Sequence, residues 1–242
     1  AWWDLSCVVF SMNGGVLGAI AALFIPASVG QNPAFNYVTC GSSIKLAHVK
    51  TGARLHSHEV KYGSNGGSSG QNSVTGMNTQ IDANSMWKVV TAAAELEDCH
   101  AGKPIPCGST FRLKHSATGC FLHSHAQFQS PLSKNQEVSA VGCSSSPNLG
   151  PHAERDPGDD WQLECTFSSD AWMRDDQVKL KHVATGKYLH HTGSHVYQRP
   201  IQGQREICAV EYSDDNGKWI AQEGVYVKRK DSLSMSASHE EL

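Results

Sequence analysis

The chain has no Cys-x-x-Cys pair, no Asn-x-Ser/Thr sequon and, beyond residue 30, no long apolar run. The first absence argues against a dithiol redox centre. The second excludes N-glycosylation. The third excludes a multi-span membrane protein. Charge is also sparse: charged residues make up 18% of the 242 positions and the formal net charge is −3, which leaves no concentrated basic face for nucleic acid. The one basic run, Lys228-Arg229-Lys230, reads as a solvated strand end. Helical periodicity is missing too. Ala92 to Leu96 is the only candidate helix and is too short to stand alone. What remains, a 39% hydrophobic content, is ordinary for a folded protein.

The ends differ from the middle. Leu5 to Ala27 carries no charge, and Val16 to Ile25 is almost wholly apolar. Ser28 and Gly30 place small residues just before a cut at Gln31, the pattern of a secretory signal peptide. An uncleaved anchor and a soluble core helix are the alternatives, but Gly14, Gly15, Gly18 and Pro26 make the segment a poor membrane span. The last four residues, His239, Glu240, Glu241 and Leu242, match the KDEL/HDEL type of retrieval signal with Glu for Asp. The expected layout is a signal peptide over 1–30, one domain over 31–230 and a flexible tail over 231–242, with the endoplasmic-reticulum lumen as the address.

Between the ends lies a repeat. Ile44 to His58, Phe111 to His125 and Val178 to Thr192 align without a gap at a spacing of 67 residues. Shared positions are Leu46/Leu113/Leu180, His48/His115/His182, Gly52/Gly119/Gly186, Leu55/Leu122/Leu189 and His56/His123/His190. Apolar residues alternate, a Thr-Gly turn follows, and alternation resumes, which is the pattern of a β-hairpin. Each copy continues to a polar pair before an aliphatic residue and then to a Trp opening a short apolar run, at Trp87, Trp161 and Trp219. Four strands per copy predict twelve in all. Threefold closure of the hairpins into a barrel with a hairpin cap buries every apolar face and protects the edges, which predicts an all-β, pseudo-threefold β-trefoil. Two separate β domains are the competing arrangement, and the gapless period argues against them. Repeats over about 37–100, 101–168 and 169–227 follow.

Particular stretches carry a family resemblance. Val38 to Ser42, Leu55-His-Ser-His58, the Gly/Ser-rich loop Gly63 to Gln71, Leu122-His-Ser-His125, Ser130 to Ser139, Asp159-Asp-Trp161 and Arg199 to Gly203 resemble the stromal cell-derived factor 2 family. That resemblance implies three MIR motifs in a β-trefoil. It also implies a non-catalytic protein of endoplasmic-reticulum quality control, with a J-domain co-chaperone, a BiP-class chaperone and unfolded client proteins as partners. MIR motifs also accompany protein O-mannosyl transfer, so a lectin-like, glycan-binding module is the alternative. The loop from Cys143 to Gly158 and His191-Thr192 in the third copy depart from the pattern.

Candidate sites are few. His56/His58 and His123/His125 lie two apart, on one face of a strand, and each pair could chelate a metal. Their recurrence with the hairpin favours a structural imidazole bonded to a turn carbonyl, so no metal and no cofactor are expected. Asp159-Asp160 and Asp175-Asp176 are adjacent acids that face opposite ways on a strand and make no acid–base pair. Asp160 reads as a turn former. Tyr62 and Tyr197 are the aromatics offered for a sugar platform, and they do not recur at equivalent positions. The loop Gly63 to Gly70 lacks the Gly-Lys-Ser/Thr of a phosphate loop and lies between strands. No catalytic residue is assigned.

The cysteines follow the repeat. Cys40 and Cys107 are 67 apart, and Cys99 and Cys165 precede successive repeats by similar distances. Two schemes stand open: Cys40–Cys99 with Cys107–Cys165, or a local Cys99–Cys107 bridge. Cys120, Cys143 and Cys208 have no such pattern. Cys7 aside, the count is odd, which leaves a thiol unpaired within the chain.

Overall fold

The computed structural model describes residues 33–63, 67–92, 100–143 and 156–230. The segment read as a signal peptide, the candidate helix beyond Ala92, Cys99, most of the loop after Cys143 and the four C-terminal residues lie outside them.

The described residues form thirteen strands and a few single 3-10 turns. The strands are β1 (Ser43–His48), β2 (Arg54–Lys61), β3 (Asn72–Met77), β4 (Trp87–Thr91), β5 (Thr110–His115), β6 (Phe121–Gln129), β7 (Gln136–Val141), β8 (Trp161–Cys165), β9 (Gln177–His182), β10 (Tyr188–His190), β11 (Arg205–Glu206), β12 (Cys208–Val210) and β13 (Trp219–Val225). Twelve were expected. The extra one arises at Ile207, where pairing passes from β3 on one side to β7 on the other and the strand divides into β11 and β12.

Six strands close a ring in the order β1, β4, β5, β8, β9, β13 and back to β1, antiparallel throughout. The hairpins β2–β3, β6–β7 and β10–β12 continue from the ring through equivalent turns, with Ala47 opposite Arg54, Lys114 opposite Phe121 and Lys181 opposite Tyr188. They join one another through β3–β7, β7–β12 and β11–β3. The three turns hold Gly52, Gly119 and Gly186 at φ of 71°, 71° and 70°, a conformation that a β-carbon resists.

The far end of the ring closes by a cycle of backbone bonds. Val38 N–H donates to the Trp172 carbonyl (2.9 Å), Trp172 N–H to Ile105 (2.8 Å) and Ile105 N–H to Val38 (3.1 Å). All three side chains are buried.

One core fills the ring. Trp87, Trp161 and Trp219 are fully buried, and their indole N–H groups donate to the Leu55, Leu122 and Leu189 carbonyls at 2.9, 3.0 and 3.2 Å. A buried Trp removes on the order of 200 Å² from water, worth roughly 5 kcal/mol as an upper bound. The expected alternation of burial holds on β9 but not on β1, where all but the first residue are buried. The outward side chain Lys45 is covered there, with its ammonium donating to the Gln80 carbonyl (2.5 Å).

Lys228-Arg229-Lys230 is exposed to solvent, as expected, but is not part of a strand. It lies beyond β13, with Arg229 N–H bonded to Ala34, its guanidinium 4.6 Å from the Tyr37 ring, and Lys230 N–H bonded to Gly102.

Candidate functional site

The repeated histidines join neighbouring repeats. His48, His115 and His182 are fully buried at the last residue of β1, β5 and β9. Each Nε2–H donates to a turn carbonyl of the preceding repeat: Asn216 (3.1 Å), Asn84 (2.8 Å) and Gly158 (3.0 Å). Each Nδ1 lies 2.8–2.9 Å from the hydroxyl of the turn threonine, Thr51, Thr118 or Thr185. The carbonyl fixes the tautomer, so Nδ1 accepts from the hydroxyl. A neutral ring suits this, and burial lowers the pKa of all three, His48 to about 4 with the adjacent His191 adding to the effect.

His56, His123 and His190 bond carboxylates instead. His56 Nδ1 meets Asp82 at 2.6 Å and His190 Nε2 meets Asp214 at 3.1 Å. These acids also cap their 3-10 turns, each accepting from the N–H two residues on. Burial pushes the Asp82 carboxyl up, but hydrogen bonds from Ser85 and His56 outweigh it and hold it below the usual carboxylate range. In the middle repeat the corresponding cap is Asp156, yet His123 bonds Asp159 at 2.9 Å.

Asp159 and Asp160 correct the expectation of acids facing opposite ways on a strand. Asp159 ends a 3-10 turn, Asp160 precedes β8, and both approach buried Arg112, at 3.9 Å and 2.7 Å. They form an ion-pair cluster around Arg112, with His123 hydrogen-bonded to Asp159, rather than an acid–base pair. Burial raises the pKa of Asp159 against the pull of His123 and Arg112.

His56 and His58 have ring centroids 5.1 Å apart, but His58 Nε2 bonds Gln204. His123 and His125 stack at 6.4 Å. Among the described residues no group of three or more His, Cys, Asp or Glu side chains is placed to hold a metal.

The departure at His191 keeps its neighbours' bond. Ser57 and Ser124 donate to the Ser73 and Glu137 carbonyls, and His191 Nδ1 donates to the matching Glu206 carbonyl at 3.0 Å.

The tyrosines are not sugar platforms. Tyr62 and Tyr197 are buried, packed with Ile201, and Tyr62 donates to the Val74 carbonyl. They do occupy equivalent places. The N–H groups of Tyr62, Ser130 and Tyr197 all donate at 2.8 Å, to the Gln71, Asn135 and Gln204 carbonyls. Unequal loop lengths hide this equivalence in the sequence.

Cys107 is bonded to Cys165, with Cα atoms 5.7 Å apart, which rules out the local Cys99–Cys107 bridge. Cys40 is also disulfide-bonded. Cys120 and Cys143, which no repeat spacing links, form a bridge of their own, and Cys208 is a buried thiol. The sequence from Gly66 to Gly70 has Gly-x-Ser-x-Gly spacing, but its described part, Gly67 to Gly70, lies between two strands. Ser68 there donates to the Gln129 carbonyl and Ser69 to Glu137, so neither is set up as a nucleophile.

Against this geometry, the chain is 40% identical over 238 residues to human stromal cell-derived factor 2, covering 98% of this chain and all of that protein. The chain belongs to the stromal cell-derived factor 2 family. A MIR domain model matches residues 64–160 of this family member. Human stromal cell-derived factor 2-like protein 1 is 40% identical over 94% of each chain. The crystal structure of the SDF2-like protein from Arabidopsis thaliana superposes with a TM-score of 0.71 at 39% identity, over 81% of this chain and 99% of that one. A structure of the S. cerevisiae protein O-mannosyltransferase complex bound to the sugar donor gives 0.63 at 25% identity, over 86% of this chain but only 30% of that one.

Among the described residues, two open grooves mark the surface of this family member. One, of about 740 Å³, is lined by Ser43, Lys88, Lys114 and the turn after His115, with the two lysines directly opposed across β4 and β5. The other, of about 450 Å³, lies between Tyr37, Pro104, Met173 and Arg229.

Proposed function

We propose that this member of the stromal cell-derived factor 2 family is a non-catalytic binding and adaptor protein of protein quality control in the endoplasmic-reticulum lumen. Its ring of six strands with three linked hairpins is read as a β-trefoil of three MIR repeats, over about 37–100, 101–168 and 169–227. The reading rests most on kinship spanning the whole of human stromal cell-derived factor 2, joined to the apolar segment before Gln31 and the terminal His-Glu-Glu-Leu. The geometry supports it: the repeated histidines hold neighbouring repeats and turn caps together, which leaves the loops and grooves as the working surface. The partners are a J-domain co-chaperone, a BiP-class chaperone and the unfolded clients that these carry. Three related faces on one rigid body suit multivalent contact.

The test is reconstitution from purified parts. The chain should bind the J-domain co-chaperone and lower the aggregation of a reduced client in the presence of BiP-class chaperone and ATP. No association, and no change in client aggregation, would remove the reading.

A glycan-binding role linked to protein O-mannosylation is the second reading. It is favoured by the likeness to part of the O-mannosyltransferase complex. The burial of Tyr62 and Tyr197 weighs against it. A mannose-containing glycan array decides: bound glycan promotes this reading, and a blank array ends it.

A further inference from the structure

The three hairpin loops end alike. Gly70, Lys134 and Gly203 each adopt positive φ (71°, 63° and 84°) immediately before Gln71, Asn135 and Gln204. Counting back one residue makes Ser69, Ser133 and Gln202 equivalent. The next repeat in the cycle sends one residue toward each loop, from the second position of the facing strand segment: Glu137, Glu206 and Ser73 respectively.

The first two loops hold a buried carboxylate. Ser69 N–H donates to Glu137 at 3.2 Å, and the Ser69 hydroxyl donates to the same carboxylate. Glu206 accepts from two successive amides, Leu132 N–H (2.9 Å) and Ser133 N–H (3.0 Å), and from the Ser130 hydroxyl. Consecutive amides turned to one side form an anion-binding nest, and a charged acceptor makes such bonds about twice as strong as neutral ones.

The third loop faces Ser73, whose side chain stops short. Its hydroxyl donates to the Val60 carbonyl at 2.8 Å and lies 3.5 Å from His58 Nδ1. Pro200, Gln202 and Gly203 are exposed to solvent.

We propose that this third loop, residues 199–203, is a carboxylate-binding site whose acid is supplied from outside the chain. By count from the positive-φ residue, the Ile201 and Gln202 amides correspond to those of Leu132 and Ser133, which grip Glu206. The ligand is a carboxylate small enough to enter beside Ser73: an Asp or Glu side chain of a partner, or a free small acid.

The test is an amide-resolved NMR titration of the full folded domain at constant ionic strength. The probes are acetate, a short peptide with a single Glu, and its Gln counterpart. The expected result is a saturable downfield shift of the Ile201 and Gln202 amides with acetate and the Glu peptide, and none with the Gln peptide. Tighter binding of the Glu peptide assigns the site to a protein partner, and tighter binding of acetate assigns it to a free acid. A Ser73→Glu variant supplies the acid internally, so it should lose the response and unfold at a higher temperature. No saturable shift in the unsubstituted chain overturns the proposal, as does an equal shift with the Gln peptide. A folded Ser73→Glu protein that keeps the full response overturns it as well. Should that variant not fold, the titration of the unsubstituted chain decides alone.

Discussion

The Asn135 side-chain amide donates to the Cys208 thiol at 3.7 Å, completing a cycle in which Ser139 donates to Gln71 and Thr75 to Gln204. Cys208 thus stands where the other two repeats carry a hydroxyl, and this accounts for the unpaired thiol. Burial and nearby Glu206 push its pKa up to about 11, so it should resist alkylation until the protein unfolds. Replacing Cys208 by Ser restores the pattern of the other repeats and should change stability by no more than about 1 kcal/mol. Cys208→Leu should cost roughly 1–3 kcal/mol by overpacking. Urea unfolding of both variants checks the difference.

The two described disulfides should contribute unequally. Cys107–Cys165 spans 58 residues and Cys120–Cys143 spans 23. Loop-closure entropy assigns them about 4 and about 3 kcal/mol respectively. Paired Ser substitutions, compared by denaturant midpoint, should therefore place loss of the longer bridge as the more damaging.

Acid should weaken the fold before its carboxylates are protonated. His48 is held near 4 when folded and titrates near 6.5 when free, so the unfolded chain takes up the proton first. Its contribution is complete above about pH 6.5 and disappears as pH falls toward 4. His56, His115, His182 and His191 are lowered by burial and act in the same direction. Glu137 and Asp159, raised by burial, oppose it at lower pH. His191→Ser should narrow the loss, because it removes a charge 4.9 Å from His48 while keeping a donor for the Glu206 carbonyl. Thermal unfolding from pH 7 to 4 reads both effects, and a flat profile for the unsubstituted chain would count against the histidine network.

Asp159 is fully buried between His123 and Arg112. Asp159→Ala leaves Arg112 bonded to Asp160 and the Asp156 carbonyl and takes the Asp159 carboxylate away from His123. Removing one member of such a buried cluster typically costs about 3–5 kcal/mol. Asp214→Ala, which removes the exposed carboxylate bonded to His190 in the third repeat, should cost no more than about 2 kcal/mol as a lost turn cap. Parallel calorimetry of the two variants gives the comparison.

Much of the architecture was legible because a gapless 67-residue period forces equivalent residues into equivalent places. His48, His115 and His182 reach the same kind of carbonyl for this reason. What the sequence hid falls where the period breaks. Cys120 has Ala53 and Lys187 as counterparts, so spacing could not announce its bridge to Cys143. Tyr62, Ser130 and Tyr197 match only when the loops after them are measured by their closing hydrogen bonds. Asp159 and Asp160 look like neighbours on a strand until the preceding Pro157 opens a turn and swings both onto Arg112. The loss of a carboxylate at Ser73 becomes visible only after the loops are superposed on Glu137 and Glu206.

Co-purification from an endoplasmic-reticulum extract tests the adaptor role most directly. A tagged copy carrying its own terminal His-Glu-Glu-Leu should be retained in the lumen and should bring down a J-domain co-chaperone and a BiP-class chaperone above a lumenal control. Recovery of the chain alone, with neither partner enriched, would contradict the account.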